Sequence, residues 1–225
     1  EIPQNPRMRP ALAWSRSPLA AAAVVIAGLT ASSFRMVGPI YGQEIGLSAV
    51  DIGYFLAAFV AGGALAQYPA GWLADRFDRR VVLIAFSAVS LIGCALTVYS
   101  AGLGRAAVMS ASALFGFLTF PIYSVAAAHA HDFAKSEERV ELSAALLFYY
   151  AVGAISAPYL TSVLIATYGP PALFTFIAAG HLGLVVFGLI RMRVRDTNPD
   201  RTAYVYAPRT SPFIGRLLRR ARERR

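Results

Sequence analysis

Between residues 71 and 80 the chain reads Gly71-Trp72-Leu73-Ala74-Asp75-Arg76-Phe77-Asp78-Arg79-Arg80, which sets two carboxylates among three guanidiniums. Residues of these types so close together do the chemistry of charge pairing: a carboxylate can cap the positive end of a helix or grip a guanidinium through paired hydrogen bonds. Other residues that could meet a solute stand further apart. Arg35 offers a lone positive charge, and Gln67, Thr119, Tyr123, Ser124, Tyr149 and Tyr150 offer neutral hydrogen-bonding groups. His129, His131 and His181 could carry protons near neutral pH. The histidine pair at 129 and 131 is incomplete as a metal site, because residues two apart on a helix do not share a face. The sequence holds no phosphate-binding glycine loop and no Cys/His cluster, so we expect neither cofactor nor metal. Cys94, the sole cysteine, lies in an apolar run and reads as a small packing residue.

The elements that must position these groups are set by composition. Of the 225 residues, 57% are hydrophobic and 15% charged, whereas soluble domains average roughly 45–50% and about 25%. A soluble domain, a disordered chain and a disulfide scaffold are all excluded. Six segments are long and apolar enough to cross a bilayer, which takes about 20 residues: Pro18–Tyr41, Ile52–Ala70, Val81–Val98, Ala106–Ala128, Leu142–Ile165 and Pro171–Ile190. Arg35 is the one formally charged residue within them. Hydrocarbon requires the backbone to satisfy its own hydrogen bonds, and transmembrane strands would alternate polar and apolar residues, so the segments read as helices. The expected fold is an all-α membrane protein of six transmembrane helices.

The net charge of +9 suggests nucleic acid only until its placement is read. All basic residues except Arg35 and Arg105 fall in the N-terminal stretch, the second and fourth loops, or the tail from Arg191, which alone carries eleven arginines. Basic loops favour the cytoplasmic side. Both ends are therefore expected inside, on a multi-pass protein of a cell (inner) membrane, with the lipid bilayer rather than nucleic acid as partner. The preference for arginine over lysine (Lys135 is the sole lysine) is in keeping with a GC-rich bacterial genome. Residues 1–17, with Pro3, Pro6 and Pro10, read as an extended cytoplasmic linker from something longer; 18–190 form the six-helix bundle. Residues 191–225 form a basic cytoplasmic tail in which Phe213, Ile214, Leu217 and Leu218 would line one side of an amphipathic helix, or which is simply disordered.

The decapeptide at 71–80 resembles the loop signature of the major facilitator superfamily, G-x-L-x-D-R-x-G-R-R/K, between a second and a third transmembrane helix. It matches at Gly71, Leu73, Asp75, Arg76, Arg79 and Arg80 and departs at Asp78, where the family has glycine. The departure puts the tight turn, and the placing of the arginines after it, in question. The resemblance implies a secondary transporter, without covalent chemistry of its own, built from two six-helix bundles. Each bundle is an inverted pair of three-helix repeats. This chain would be the C-terminal bundle, its partner the N-terminal half of the same polypeptide. A faint internal echo relates Gly63–Pro69 to Gly153–Pro158, and the stretch Phe120–Asp132 is similar to an uncharacterised bacterial subgroup.

By resemblance, transport would proceed by alternating access, with Asp75 gripping a helix of the opposite bundle amid Arg76, Arg79 and Arg80. Gln67, Thr119, Tyr123, Ser124, Tyr149 and Tyr150 would face the cavity, although each serves equally as a helix–helix hydrogen bond. Arg35 sits roughly 25 Å along its helix at about 1.5 Å per residue. It either snorkels to outer headgroups or lines the cavity, where it could hold an anion or pair with Glu44. His181 reads as a packing or interhelical group rather than a proton carrier, and Phe120-Pro121 should kink the fourth span. Gly62, Gly63, Gly116 and Gly153 should allow close helix packing. Two rival classes are weighed: a non-transporting receptor or regulatory half-transporter, and a six-helix intramembrane serine protease. The latter would need Gly-x-Ser-Gly around a fourth-span serine, and Ser110, Ser112 and Ser124 lack it.

Overall fold

The computed structural model describes residues 9–194. Eight α-helices follow in order: α1 (Pro10–Arg16), α2 (Pro18–Glu44), α3 (Ala49–Arg76), α4 (Arg79–Ser100), α5 (Arg105–Thr119), α6 (Pro121–His131), α7 (Arg139–Tyr168) and α8 (Ala172–Val194), with a 3-10 turn at Ser136–Glu138. Because α5 and α6 form one span interrupted at Pro121, six helical spans are long and apolar enough to cross a membrane. The fold is a multi-pass, all-α membrane bundle.

Short polar signals start the helices. Ser17 and Ser48 accept from the backbone N–H groups of Ala20 and Asp51, each at 3.2 Å, and Asp78 accepts from Arg80 N–H at 2.9 Å. Each capped group is an amide that the helix itself leaves unpaired. Gly104, before α5, and Gly169, after α7, turn the chain with φ of +93° and +82°, a region that disfavours any side chain. The expected kink appears at Phe120-Pro121, where proline lacks an N–H and α5 gives way to α6.

Two features differ from the sequence reading. Residues 10–16, expected as extended linker, form α1: Pro10 suits a first helical turn, Ala13 is buried, and Trp14 stacks on Phe187 at 6.3 Å between ring centroids. The 71–80 motif is helical as far as Arg76, leaving only Phe77 and Asp78 as the turn. Asp78 does not spoil that turn. Its carboxylate caps α4, and this supplies from a side chain what a glycine-based turn would leave to the backbone. The amphipathic helix expected around Phe213, Ile214, Leu217 and Leu218 lies outside the described residues.

Packing follows two crossings of the same kind. In one, α2 lies along α7: a Cβ on Gly28 would fall 2.1 Å from the Tyr150 carbonyl oxygen, and one on Gly153 would fall 2.1 Å from that of Val25. In the other, α3 lies along α5: a Cβ on Gly62 would fall 1.8 Å from the Ala113 carbonyl oxygen, and one on Gly116 would fall 1.9 Å from that of Phe59. Each crossing also carries a serine reaching across, Ser32 to the Ala154 carbonyl (2.7 Å) and Ser112 to the Phe55 carbonyl (2.6 Å). Helices α4 and α8 pack on each other. Exchanging α2, α3, α4 for α5–α6, α7, α8 maps these pairings onto one another, an inverted three-helix repeat in which Gly153 corresponds to Gly62, one residue before the Gly63 of the sequence echo. Near the basic end the core is mainly alanine and aliphatic side chains, around Leu83, Val125 and Leu146. Near the other it is aromatic, with Phe34 stacked 4.1 Å from Phe59 and Phe174 edge-on to Phe115 at 5.4 Å.

Because lipid gives helices no hydrophobic reason to associate, close backbone approach carries much of the packing. Gly116→Leu is therefore expected to cost about 3 kcal/mol, the upper range for overpacking. Gly53→Ala, where an added Cβ meets nothing within 4 Å, should stay within about 1 kcal/mol of the parent. Thermal unfolding midpoints of the purified proteins in one detergent check the contrast.

Candidate functional site

At the arginine-bearing end, the 71–80 motif is organised around one side chain. Arg79 is the first residue of α4, and its side chain, 2% exposed, runs inward between the ends of two other helices. Its Nε donates to the Ala74 carbonyl (3.2 Å) and its Nη1 to the Ala128 carbonyl (3.1 Å), which also accepts the Asp132 N–H (3.2 Å), so it binds carbonyls at the C-terminal ends of both α3 and α6. Nη1 also donates to Asp132 Oδ1 at 2.7 Å, and Nη2 to Asp75 Oδ1 at 3.3 Å. A cation at helix C-termini also opposes their negative dipole ends.

The two carboxylates are unlike. Asp132 is 5% exposed and sits against the guanidinium, whereas Asp75 is 49% exposed on the last turn of α3. Arg80 turns to its own neighbour, Asp78, at 2.7 Å, and Arg76 lies over the Trp72 ring at 4.5 Å. Gly71 is buried in α3. The motif thus divides its labour: Arg79 braces, Asp78 caps and orients Arg80, and Asp75 remains at the surface. Asp132 is the residue that sequence reasoning passed over. Its signal was an acid one turn past the apolar run of the fourth span, a position costly to an acid without a partner.

The expected path residues separate into groups. Ser124 on α6 reaches Gln67 on α3 (3.5 Å), and Gln67 also donates to the Gly63 carbonyl one turn back (3.2 Å). Beside them Tyr123 meets Tyr150 of α7 edge-on at 5.4 Å. One pair thus joins α3 to α6 and the other joins α6 to α7. Thr119 is buried and donates to the Phe115 carbonyl of its own helix (2.8 Å), and Tyr149 packs edge-on to Phe148 at 5.8 Å. Arg35 is exposed on α2, several turns nearer the opposite end, and forms no ion pair with Glu44 or any other described carboxylate. The ion pair at that end is Arg105 with Asp51, at 2.8 Å.

The histidines are held in structure. His181 is buried in α8 and shares a hydrogen bond with Thr30 of α2 at 3.1 Å, the interhelical role expected of it. His131 meets Ser143 at 3.1 Å, while His129, buried, lies edge-on to Phe133 at 5.3 Å, so the pair diverges. Among the described residues no group of three metal-ligating side chains occurs.

Comparison with known proteins agrees with this architecture. The family model described as Major Facilitator Superfamily matches residues 20–223. The chain is 32% identical over 183 residues to an uncharacterized MFS-type transporter of Enterobacter sp. (strain 638), covering 81% of this chain and 45% of that one. It is 32% identical over 180 residues to one from Yersinia pestis (strain Pestoides F), covering 80% and 44%. A third, from Escherichia coli O139:H28, is 31% identical over 181 residues, covering 80% and 45%. The chain thus spans about half the length of the curated relatives it matches. Among solved structures, an auto inhibited POT family peptide transporter superposes with a TM-score of 0.63 at 19% identity, over 92% of this chain and 46% of that one. That likeness concerns fold alone.

The unequal burial of the two acids generates a ranking. Asp132→Ala leaves the buried guanidinium short of its nearest counter-charge and should destabilise the protein by about 3 kcal/mol. Asp75→Ala removes a half-exposed partner and should cost less than about 1 kcal/mol. Chemical or thermal unfolding of the two variants in the same detergent checks the order.

Proposed function

The chain belongs to the major facilitator superfamily, and from that premise we propose that it is the C-terminal half of a permease that moves a small solute by alternating access. Relatives named as MFS-type transporters make its role one of transport rather than covalent catalysis. Its partner in this reading is an N-terminal six-helix bundle of the same polypeptide, which agrees with relatives about twice its length. Residues before α2 serve as the cytoplasmic linker and those after α8 as a basic cytoplasmic tail, with both ends of the segment inside an inner membrane.

The observation that carries the reading is the division within the 71–80 motif. Arg79 ties α3, α4 and α6 into one body, while Asp75, on the surface of that body, is 49% exposed. A carboxylate so placed can meet the positive N-terminal end of a helix in the opposing bundle when the two close on the cytoplasmic side. The contact exists in one orientation and not in the other, which is the differential interaction a conformational bias requires. The cluster of Gln67, Tyr123, Ser124 and Tyr150 supplies neutral hydrogen-bonding groups for the solute path, and Arg35 a positive charge toward the outer mouth.

In the full-length protein, Asp75→Asn is expected to shift side-specific cysteine accessibility several-fold toward the orientation open to the cytoplasm, while unfolding stability changes by less than about 1 kcal/mol. Accessibility identical to the parent contradicts the role given to Asp75. For a transported anion, Arg35→Ala should raise KM about tenfold, the equivalent of about 1.4 kcal/mol. An unchanged KM returns Arg35 to a headgroup role.

A further inference from the structure

Helices α3 and α4 are joined by a turn of two residues, Phe77 and Asp78, yet touch little beyond it. They diverge from the turn and leave a groove of about 350 Å³ between them. Leu73 and Phe77 line it from α3, and Val81, Ala85, Phe86 and Val89 line it from α4, with no polar residue in its lining. From Val81 to Val89 it follows α4 for about 12 Å, at about 1.5 Å per residue. Phe77, Val81 and Val89 are exposed, so the groove opens outward from the bundle.

A groove so lined offers water no hydrogen bond, and left empty it forfeits contacts along one side. In a bilayer the group that fits it is an acyl chain. What stands at its head decides which lipid supplies the chain. Successive helical residues turn by about 100°, so Arg76 falls about 60° from Leu73 around α3, on the side away from the buried Ala74. It also precedes Phe77 in the chain. Arg76 therefore stands on the outer lip of the groove, in the last turn of α3.

That cation is available. Arg76 is exposed, its guanidinium lies 4.5 Å over the Trp72 ring, and it forms no ion pair with a described carboxylate. The nearby acids are directed elsewhere: Asp78 pairs with Arg80, and Asp75 pairs with Arg79. Asp75 also falls about 160° around α3 from Leu73, on the far side from the groove. Trp72, exposed beside Arg76, is an aromatic residue of the kind found at membrane interfaces.

We propose that the groove between α3 and α4 seats an acyl chain of an anionic phospholipid whose phosphate contacts Arg76. Chain and head belong to one molecule here because the cation and the apolar groove adjoin on one side of α3. A zwitterionic headgroup brings its own cation toward Arg76 and gains less from it. A soluble phosphate gains the charge contact but nothing from the groove.

Photolabelling of the full-length protein tests the assignment, in bilayers of phosphatidylglycerol and phosphatidylethanolamine in equal amounts. One lipid at a time carries a diazirine on its acyl chain, and labelled peptides are mapped by mass spectrometry. Label from phosphatidylglycerol should concentrate on residues 73–89 and exceed that from phosphatidylethanolamine about fivefold, the effect of one interfacial charge. Arg76→Gln should abolish the difference, and Arg76→Lys should keep most of it, which separates charge from misfolding. Ala85→Trp, which fills the groove, should lower labelling by both lipids. Label no denser in the groove than on the exposed Leu189 and Ile190 of α8 overturns the proposal. Equal labelling by the two lipids overturns it too, as does a loss in Arg76→Lys equal to that in Arg76→Gln. Loss of label on adding soluble glycerol 1-phosphate identifies a free-anion site and overturns the lipid assignment.

Discussion

The basic end of this bundle depends on one guanidinium. Arg79 is nearly without solvent exposure, and it is accommodated there because backbone carbonyls of α3 and α6 and the carboxylates of Asp75 and Asp132 all accept from it. Replacing a buried ion pair of this kind with apolar side chains is often neutral or stabilising, so stability alone does not explain it. What it provides is specificity of arrangement. Two acceptors lie at the end of α3 and two at the end of α6, and the planar donor fork accepts few geometries. The turn between α3 and α4 is thereby locked to the end of the fourth span, although α3 and α4 themselves touch little along their lengths.

Above that end the bundle holds together by other means. Glycines at reciprocal positions bring α2 against α7 and α3 against α5, and serine hydroxyls cross each contact to a carbonyl of the facing helix. Such contacts require close fit and little else, which suits an environment where burying apolar surface brings no gain. The result is a unit whose two crossings resist deformation. The proposed rocking of the bundle as a body would need this property, since a flexible bundle would absorb the motion internally.

Much of this was legible in the sequence, for physical reasons that differ by feature. The spans followed from length and the exclusion of charge, and the kink at Pro121 from its missing N–H. The motif at 71–80 marked the right place and the family. Its internal geometry was less accessible. Spacing alone did not tell that Arg79 points inward while Arg76 lies over Trp72, because a turn at Phe77 and Asp78 puts the two on different helices. Asp132 was missed because its partner is 53 residues away, and proximity of that kind is a property of the packed fold. Asp78 was read as a disruption since it replaces glycine, yet an aspartate can do by capping what glycine does by flexibility. Of the path residues, Thr119 bonds within its own helix, whereas Gln67 bonds both within its helix and to Ser124 of α6, a difference that a list of polar positions does not show.

The central claim is that Arg79 makes the basic ends of α3, α4 and α6 one rigid body. Spin labels at Phe77 in the α3–α4 turn and Lys135 beyond α6, both exposed, report on it directly through pulsed dipolar distance measurement in the full-length protein. The account predicts one narrow distance distribution, unchanged between inward- and outward-facing conditions, that broadens in Arg79→Gln. A distribution that is equally narrow without the guanidinium, or one that changes with orientation in the parent, would contradict it.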